Sequence, residues 1–437
     1  MSLPRPGHPR QPTIAVLTRV RNLLESAEFS AALTHTIVAS QVGSLLLHEL
    51  FGWAGSIAIL LALAVLASLT LFVRRESIDR RSLLPISLLI FVGWAAISVS
   101  WSQYGGVSAA GAFYLLAVTL VGVYIALIRD TIQIARAFGN VLRAALGLSL
   151  GLEIFSGILI DFPLGFLRIQ GNIADLGPLQ GIFGTRNQLG IVALVAIVTF
   201  ATELRTQSVT RRLAIGSLIL AGGILALARS PIAYATLIVV VLATVALITI
   251  RRVSAERKRI WQFGLLATTI GVGAICWAAR TPIIDAFSAS DGLSLRLSVW
   301  RPIRILIPVH SLEGWGWTGQ WWEQVAPFRY IRDGNQASGL NVYLDVWFQL
   351  GLVGLIAFLF MASLAFTRSW LLASRQRSFV YAWPALVLLV MLVSGLAESS
   401  LLIEFGWLTF VVCSVKASRE LSWRRAFSDI RVPQRLV

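Results

Sequence analysis

Arginines set beside helix-capping residues mark the chemistry this sequence can do. Arg186 precedes Asn187 in GIFGTRNQLG, Arg229 precedes Ser230 and Pro231 in ARSPIAY, and Asn341 opens the run NVYLDVWFQLGLVG. Asn and Ser are favoured just before a helix and Pro at its first position, so each motif predicts a helix start, with Asn187, Ser230 and Asn341 as caps. A helix N-terminus presents unpaired N–H groups and the positive end of its dipole, and so binds anions. Arginine adds a planar fork that pairs bidentately with phosphate oxygens and keeps its charge. Three such ends at one depth would form a basic bowl for a phosphate or pyrophosphate; the plainer reading pairs each arginine with a carboxylate such as Asp161 or Asp175.

A second group lies between Ser294 and Gly354. In ASDGLSLRLSVWRPIRILIP, Asp291 could cap a short helix that places Arg296, Trp300 and Arg304 on one face, with Leu295, Val299, Ile303 and Leu306 beneath. Pro302 must start or kink that helix, and a purely amphipathic surface helix is the alternative. Trp300, Trp315, Trp317, Trp321, Trp322 and Trp347 fall here. Their flat faces suit sugar rings, and equally the membrane interface. The glycines of GWGW at residues 314–317 favour a shaped turn with close backbone approach. Titratable groups in this region are Glu313, Glu323, Asp333, Asp345, Glu398, Glu404 and His310. Asp345, one turn beyond Asn341, and Glu398 are functional candidates as ionisable groups in apolar runs, with a helix-packing ion pair as the alternative.

The elements that must position these residues are membrane helices. The chain has 437 residues, is 57% hydrophobic and 13% charged, and has a mean hydropathy of +0.77, which excludes a soluble globular protein. Apolar runs of spanning length fall at about 31–50, 53–73, 83–101, 112–128, 140–160, 187–203, 213–228, 231–250, 263–279, 342–367, 380–398 and 400–415. The expected architecture is all-α: a cytoplasmic tail over 1–30, nine spans over 31–279, a large extracytoplasmic loop over 280–341, three spans over 342–415 and a second cytoplasmic tail over 416–437. The first residues are basic and lack the core of a removable signal peptide. With the N-terminus inside, most of the 37 basic residues fall in cytoplasmic segments, as the positive-inside rule requires. The arginines left outside are Arg168, Arg186, Arg229, Arg280, Arg296, Arg301, Arg304, Arg329 and Arg332. Either they snorkel to lipid phosphates or they serve a site.

The net charge of +16 thus belongs to membrane topology, and no nucleic-acid partner is implied. Cys276 and Cys413 lie in apolar runs and read as small buried hydrophobes. There is no phosphate loop, dinucleotide fingerprint, HExxH or His/Cys cluster, so nucleotide hydrolysis and zinc chemistry have no support. A transporter or flippase for an anionic solute is the alternative class. It calls for mid-span charges in paired broken helices, and Glu153, His48 and Glu49, near span ends, support it poorly.

The motifs GIFGTRNQLG, ARSPIAY, LRLSVW with GWGW, LNVYLDVWFQLGLVG and AESSLLIEFGW follow one another over residues 180–407. In that order the chain resembles the O-antigen ligase and exopolysaccharide polymerase superfamily, particularly its exopolysaccharide-production branch. The resemblance implies an inner-membrane glycosyltransferase that moves a glycan from a polyprenyl-pyrophosphate carrier to a glycan or lipid-linked acceptor outside the cytoplasmic membrane. It implies no cofactor and no metal, because Arg186, Arg229 and Arg296 match arginines expected to hold the pyrophosphate and stabilise it as it leaves. Arg296 thereby joins Asp345 as a catalytic candidate; the substrate-binding candidates are Arg186, Asn187, Arg229, Arg296, Trp300, Arg304, Trp315, Trp317, Asn341 and Glu398. The family often has His immediately before the Asn that opens this helix. Here that position is Leu340, His310 is distant in sequence, and Asp345 is the carboxylate nearest to hand for activating an acceptor hydroxyl.

Overall fold

The computed structural model describes residues 12–76, 84–174, 176–253, 257, 260–264, 267, 271, 278, 291–322, 324–331 and 337–420. Most of the expected span at 263–279 lies outside them, as do Cys276, Asp175, Arg280, Glu323, Arg332, Asp333 and the ends of both expected tails. The described elements are helices: α1 Pro12–Glu25, α2 Ala27–Val42, α3 Ser44–Val73, α4 Ile86–Ile97, α5 Gly105–Ile128, α6 Thr131–Ile154, α7 Arg186–Thr206, α8 Arg211–Ala228, α9 Pro231–Arg252, α10 Asp291–Leu306, α11 Phe328–Ile331, α12 Val342–Arg375, α13 Ala382–Ser394 and α14 Glu404–Glu420. Seven of these, namely α3, α5, α6 with its extension to Leu159, α7, α8, α9 and α12, are long and apolar enough to cross a membrane, and α4 and α13 are shorter apolar helices. The chain is a multi-pass, all-helical membrane protein.

Two glycines redraw the first expected spans. The apolar run over 31–50 is cut at Gly43, whose N–H closes α2 on the Ala39 carbonyl at 2.9 Å. Gly52, with φ +68°, then breaks α3, so residues 44–51 form a short arm between the two glycines. The expected boundary between residues 50 and 53 coincides with Gly52, whereas the apolar run continues unbroken across Gly43. The break carries Ser44, His48 and Glu49 to one end of the bundle. The segment expected as an N-terminal tail contains α1, which packs on α2 and α3.

The centre of the bundle is α7, α13 and α14, which are buried along most of their lengths. Cys413 on α14 is a free, buried thiol. Lipid offers no hydrophobic drive between helices, so close approach through small residues matters. A Cβ on Gly190 of α7 would stand 2.8 Å from Ala233 and 3.0 Å from Ser230 on α9. That absent side chain lets the starts of α7 and α9 touch.

The segment from α10 to α12 closes over this end. Val299 and Ile303 of α10 are fully buried with Ile307, Trp321, Phe328, Ile331 and Phe348, and Leu306 packs at the edge, so the apolar underside expected of α10 is largely realised. The helix continues through Pro302. Downstream, the turn at Gly314 docks into a break in α12 at Gly351, where φ is +68°. That break frees the Phe348 and Gln349 carbonyls to accept from Trp315 N at 3.1 Å and Gly316 N at 2.8 Å. It also frees the Leu352 N–H to donate to Ser311 O at 2.9 Å. Gly314 and Gly316 have φ of +74° and +101°, the shaped turn that GWGW predicts.

Candidate functional site

Glu398 is the point on which the separate motifs meet. Its Oε1 accepts from Arg296 Nη2 of α10 at 2.9 Å and from Asn187 Nδ2 of α7 at 2.8 Å. Asn187 Oδ1 in turn accepts from the Ser230 hydroxyl at 2.9 Å. Arg296 also donates from Nε to the Ala397 carbonyl at 3.0 Å and from Nη1 to Gly292. On the far side, Asn341 Nδ2 donates to Leu396 O at 2.9 Å and its backbone N–H to Ser399 Oγ at 3.0 Å. The starts of α7, α9 and α12 are thereby gathered around residues 395–399, at one end of the bundle.

The capping expectations resolve individually. Ser230 caps α9 by accepting from Ala233 N, with Pro231 following. Asn341 caps α12, its Oδ1 accepting from Tyr343 N and Leu344 N, both at 3.0 Å. Asn187 does not cap α7: Thr185 does, accepting from Gln188 N at 3.2 Å. Asn187 falls inside the helix because Thr185 has the extended backbone a cap needs, and its amide is left to bridge Glu398 and Ser230. The side chain of Asp291, the first residue of α10, lies outside the description.

The arginines divide into two groups. Arg296 is committed to Glu398, the carboxylate pairing foreseen as the plainer alternative. Arg186 and Arg229 stand exposed at the starts of α7 and α9, and among the described residues neither guanidinium has an ion-pair partner. Arg304 is exposed on α10, so Arg296 and Trp300 turn inward while Arg304 does not. Asp161 is exposed and pairs with none of them.

Beside this junction lies a cleft of about 310 Å³. Its walls include Ser44, His48 and Glu49 from the arm of α3, Arg168, Thr185 and Gln188 before and within α7, Gln320, Ser338 and Leu340 from the closing segment, and residues 398–400 and 402–406. Arg168, Leu340 and Glu404 hold positive φ of 59°, 49° and 47°. Non-glycine residues seldom adopt that backbone, and strain of this kind gathers at functional sites. Glu153, buried beneath, accepts from Gln180 N at 2.8 Å and Gly181 N at 2.9 Å and so fixes the turn that leads into α7.

Asp345 reaches the cleft wall but is already engaged. Oδ1 accepts from Trp321 Nε1 at 2.9 Å and Gln349 Nε2 at 3.0 Å, and Oδ2 from Gly339 N at 3.0 Å. Gln349 Oε1 accepts in turn from Thr318 N at 2.8 Å and Gly319 N at 3.1 Å. Asp345 and Gln349 thus tie the closing segment to α12. Most of the tryptophans serve packing: Trp300 donates to Gly339 O at 2.8 Å, Trp315 to Leu306 O at 3.3 Å, and Trp317 is buried edge-on to Phe91. His310 bonds Glu313 at 2.9 Å and holds that carboxyl below the usual range. Neither lines the cleft.

An aromatic and acidic corner of the same cleft, with a crevice adjoining it, joins residues far apart in the chain. His48 lies against Trp53, ring centroids 4.1 Å apart, and Trp53 is 5.6 Å from Trp322. His48 Nδ1 is 3.7 Å from Glu404 Oε1, while Ser44 Oγ donates to Glu404 Oε2 at 2.5 Å. The available signal was a carboxylate inside the apolar run LLIEFGW; its partner, 356 positions earlier, carries no local trace.

Fold and site together define a multi-pass membrane protein whose helix starts converge beside a polar cleft lined by Arg168; Arg186 and Arg229 are exposed at two of those starts and do not line it. The model of the O-antigen ligase family matches residues 216–359, a stretch that contains Arg229, Ser230, Arg296, Asn341 and Asp345. The match supports the O-antigen ligase superfamily for this chain. A comparison with curated proteins returns no match.

Proposed function

We propose that the protein transfers a saccharide from a polyprenyl-pyrophosphate carrier to an acceptor hydroxyl on the outer face of the inner membrane, in exopolysaccharide or O-antigen-type synthesis. The observation that carries this reading is the convergence of the α7, α9 and α12 starts beside a cleft lined by Arg168, with Arg186 and Arg229 exposed and unpaired at the starts of α7 and α9, outside the cleft lining. In this reading Arg186, Arg229 and Arg168 hold the pyrophosphate. Charge that develops on the leaving oxygen meets cations already in place, which lowers the barrier without reorganisation. Arg296, neutralised by Glu398, aligns the closing segment. Asp345 anchors that segment to α12. The half-exposed rings of Trp53 at the cleft and Trp322 in the adjoining crevice suit a sugar ring. The full layout of twelve spans with both termini inside belongs to the same proposal.

The test is mass spectrometry of polyprenyl-linked saccharides in host cells with the gene deleted and then restored as wild type, Arg186→Ala or Arg229→Ala. Deletion is expected to accumulate carrier-linked saccharide and abolish long polymer, and each variant to lower polymer formation at least about 100-fold, the loss typical of one removed charge-stabilising donor. Single repeats accumulating would mark a polymerase, and long carrier-linked chains a ligase. Unchanged pools would sink the transfer reading and bring forward a transporter.

A further inference from the structure

We infer that His48 is the base that takes the proton from the acceptor hydroxyl, with Glu404 as its positioning partner; this rests on the transfer reading above. A glycosyl acceptor must lose a proton as its oxygen bonds to the anomeric carbon, and Leu340, beside the helix cap Asn341, cannot take one. The cleft supplies an imidazole from another element, the arm of α3. Both His48 and Leu340 line it, and the arm that carries His48 exists because Gly43 and Gly52 break the chain on either side.

The geometry has the parts of a base and its orienter. Glu404 Oε1 lies 3.7 Å from His48 Nδ1, Ser44 fixes the other carboxylate oxygen, and Trp53 covers one face of the ring. Among the described residues His48 Nε2 has no hydrogen-bond partner. In the step proposed, the acceptor oxygen bonds to the anomeric carbon and the bond from that carbon to the pyrophosphate oxygen breaks, its electron pair leaving with the pyrophosphate. The hydroxyl proton passes to Nε2, and the imidazolium so formed is stabilised by Glu404 and later returns its proton to water. Asp345 is a poorer base because three N–H groups already bind its oxygens.

Other titratable groups surround His48: Glu49 is next in the chain, Arg168, Asp345 and Glu398 stand on other walls of the cleft, and Tyr114 shares an adjoining crevice with Glu404. The pH profile therefore has to be read through variants. Full-length protein in liposomes would receive lipid-linked saccharide extracted from deletion cells as donor and acceptor, with initial rates measured from about pH 5 to 9, a range that spans the ordinary imidazole titration. Wild type is expected to slow on the acid side. His48→Gln should lower the rate about 10²–10⁴-fold and abolish the acid limb while lipid-linked saccharide still copurifies with it. Glu404→Ala removes the group beside Nδ1 and should lower the rate about 10-fold or more while lipid-linked saccharide still copurifies, with Glu404→Gln, which keeps an oxygen facing the ring, recovering part of it; this readout stands even if the histidine variant folds poorly. A full rate in His48→Gln, an acid limb that persists in it, or a full rate in Glu404→Ala overturns the assignment. If wild type itself makes no polymer from this donor, the transfer reading fails instead.

Discussion

At the scale of single residues, the cleft separates groups that hold structure from groups left free to meet a ligand. Asp345 receives three N–H donors, and in Asp345→Asn one oxygen becomes an NH₂ that must face a donor. A buried donor without a partner costs about 1–3 kcal/mol. The expected result is a lower unfolding temperature and faster proteolysis of residues 311–340, with activity falling in step. A base at this position would behave differently: its loss would cut the rate about 10²–10⁴-fold with stability preserved. Arg186 and Arg229 illustrate the opposite case, since no described carboxylate pairs with either and their truncation should leave the unfolding temperature unchanged.

At the scale of elements, two junctions decide whether the site assembles. The first is the break in α12: a Cβ at Gly351 would strike the Leu312 carbonyl and Glu313 N, on a backbone with φ of +68°. Gly351→Ala is therefore expected to undock residues 311–316, reduce polymer formation more than about 10-fold and expose the turn to protease, with membrane insertion intact. The second junction lies within the bundle, where Arg143 of α6 pairs with Glu203 of α7, bonds Ser217 of α8 at 2.8 Å and covers Phe200. Gly139 makes room for the Glu203 carboxylate. Arg143→Ala leaves that carboxylate buried without its cation and should cost about 3–5 kcal/mol in SDS unfolding titrations. Arg143→Met combined with Glu203→Leu is expected to recover most of that loss, because a buried pair replaced whole by apolar groups is often neutral.

At the scale of the whole molecule, the sequence disclosed the elements better than their meeting. Helix class, the starts of α9 and α12 and the turn at Gly314 were legible because capping residues, proline and glycine act locally. Asn187 as a bridge, Glu398 as the hub and His48 beside Glu404 were not, because each depends on partners far along the chain that no local pattern encodes. Orientation stands between these cases, argued from arginine and lysine bias alone, and the two ends of α7 offer a direct check. Gly165 lies at the cleft end, exposed, with nothing within 4 Å of an added Cβ. Thr210 is exposed in the turn between α7 and α8, and its side chain makes no capping bond. In intact cells a membrane-impermeant maleimide should label Gly165→Cys and reach Thr210→Cys only after permeabilisation, with buried Cys413 silent in both. The reverse pattern would put the arginines, Glu398 and the cleft on the cytoplasmic side. Transfer at the outer face would then be impossible, however well the residues around Glu398 converge.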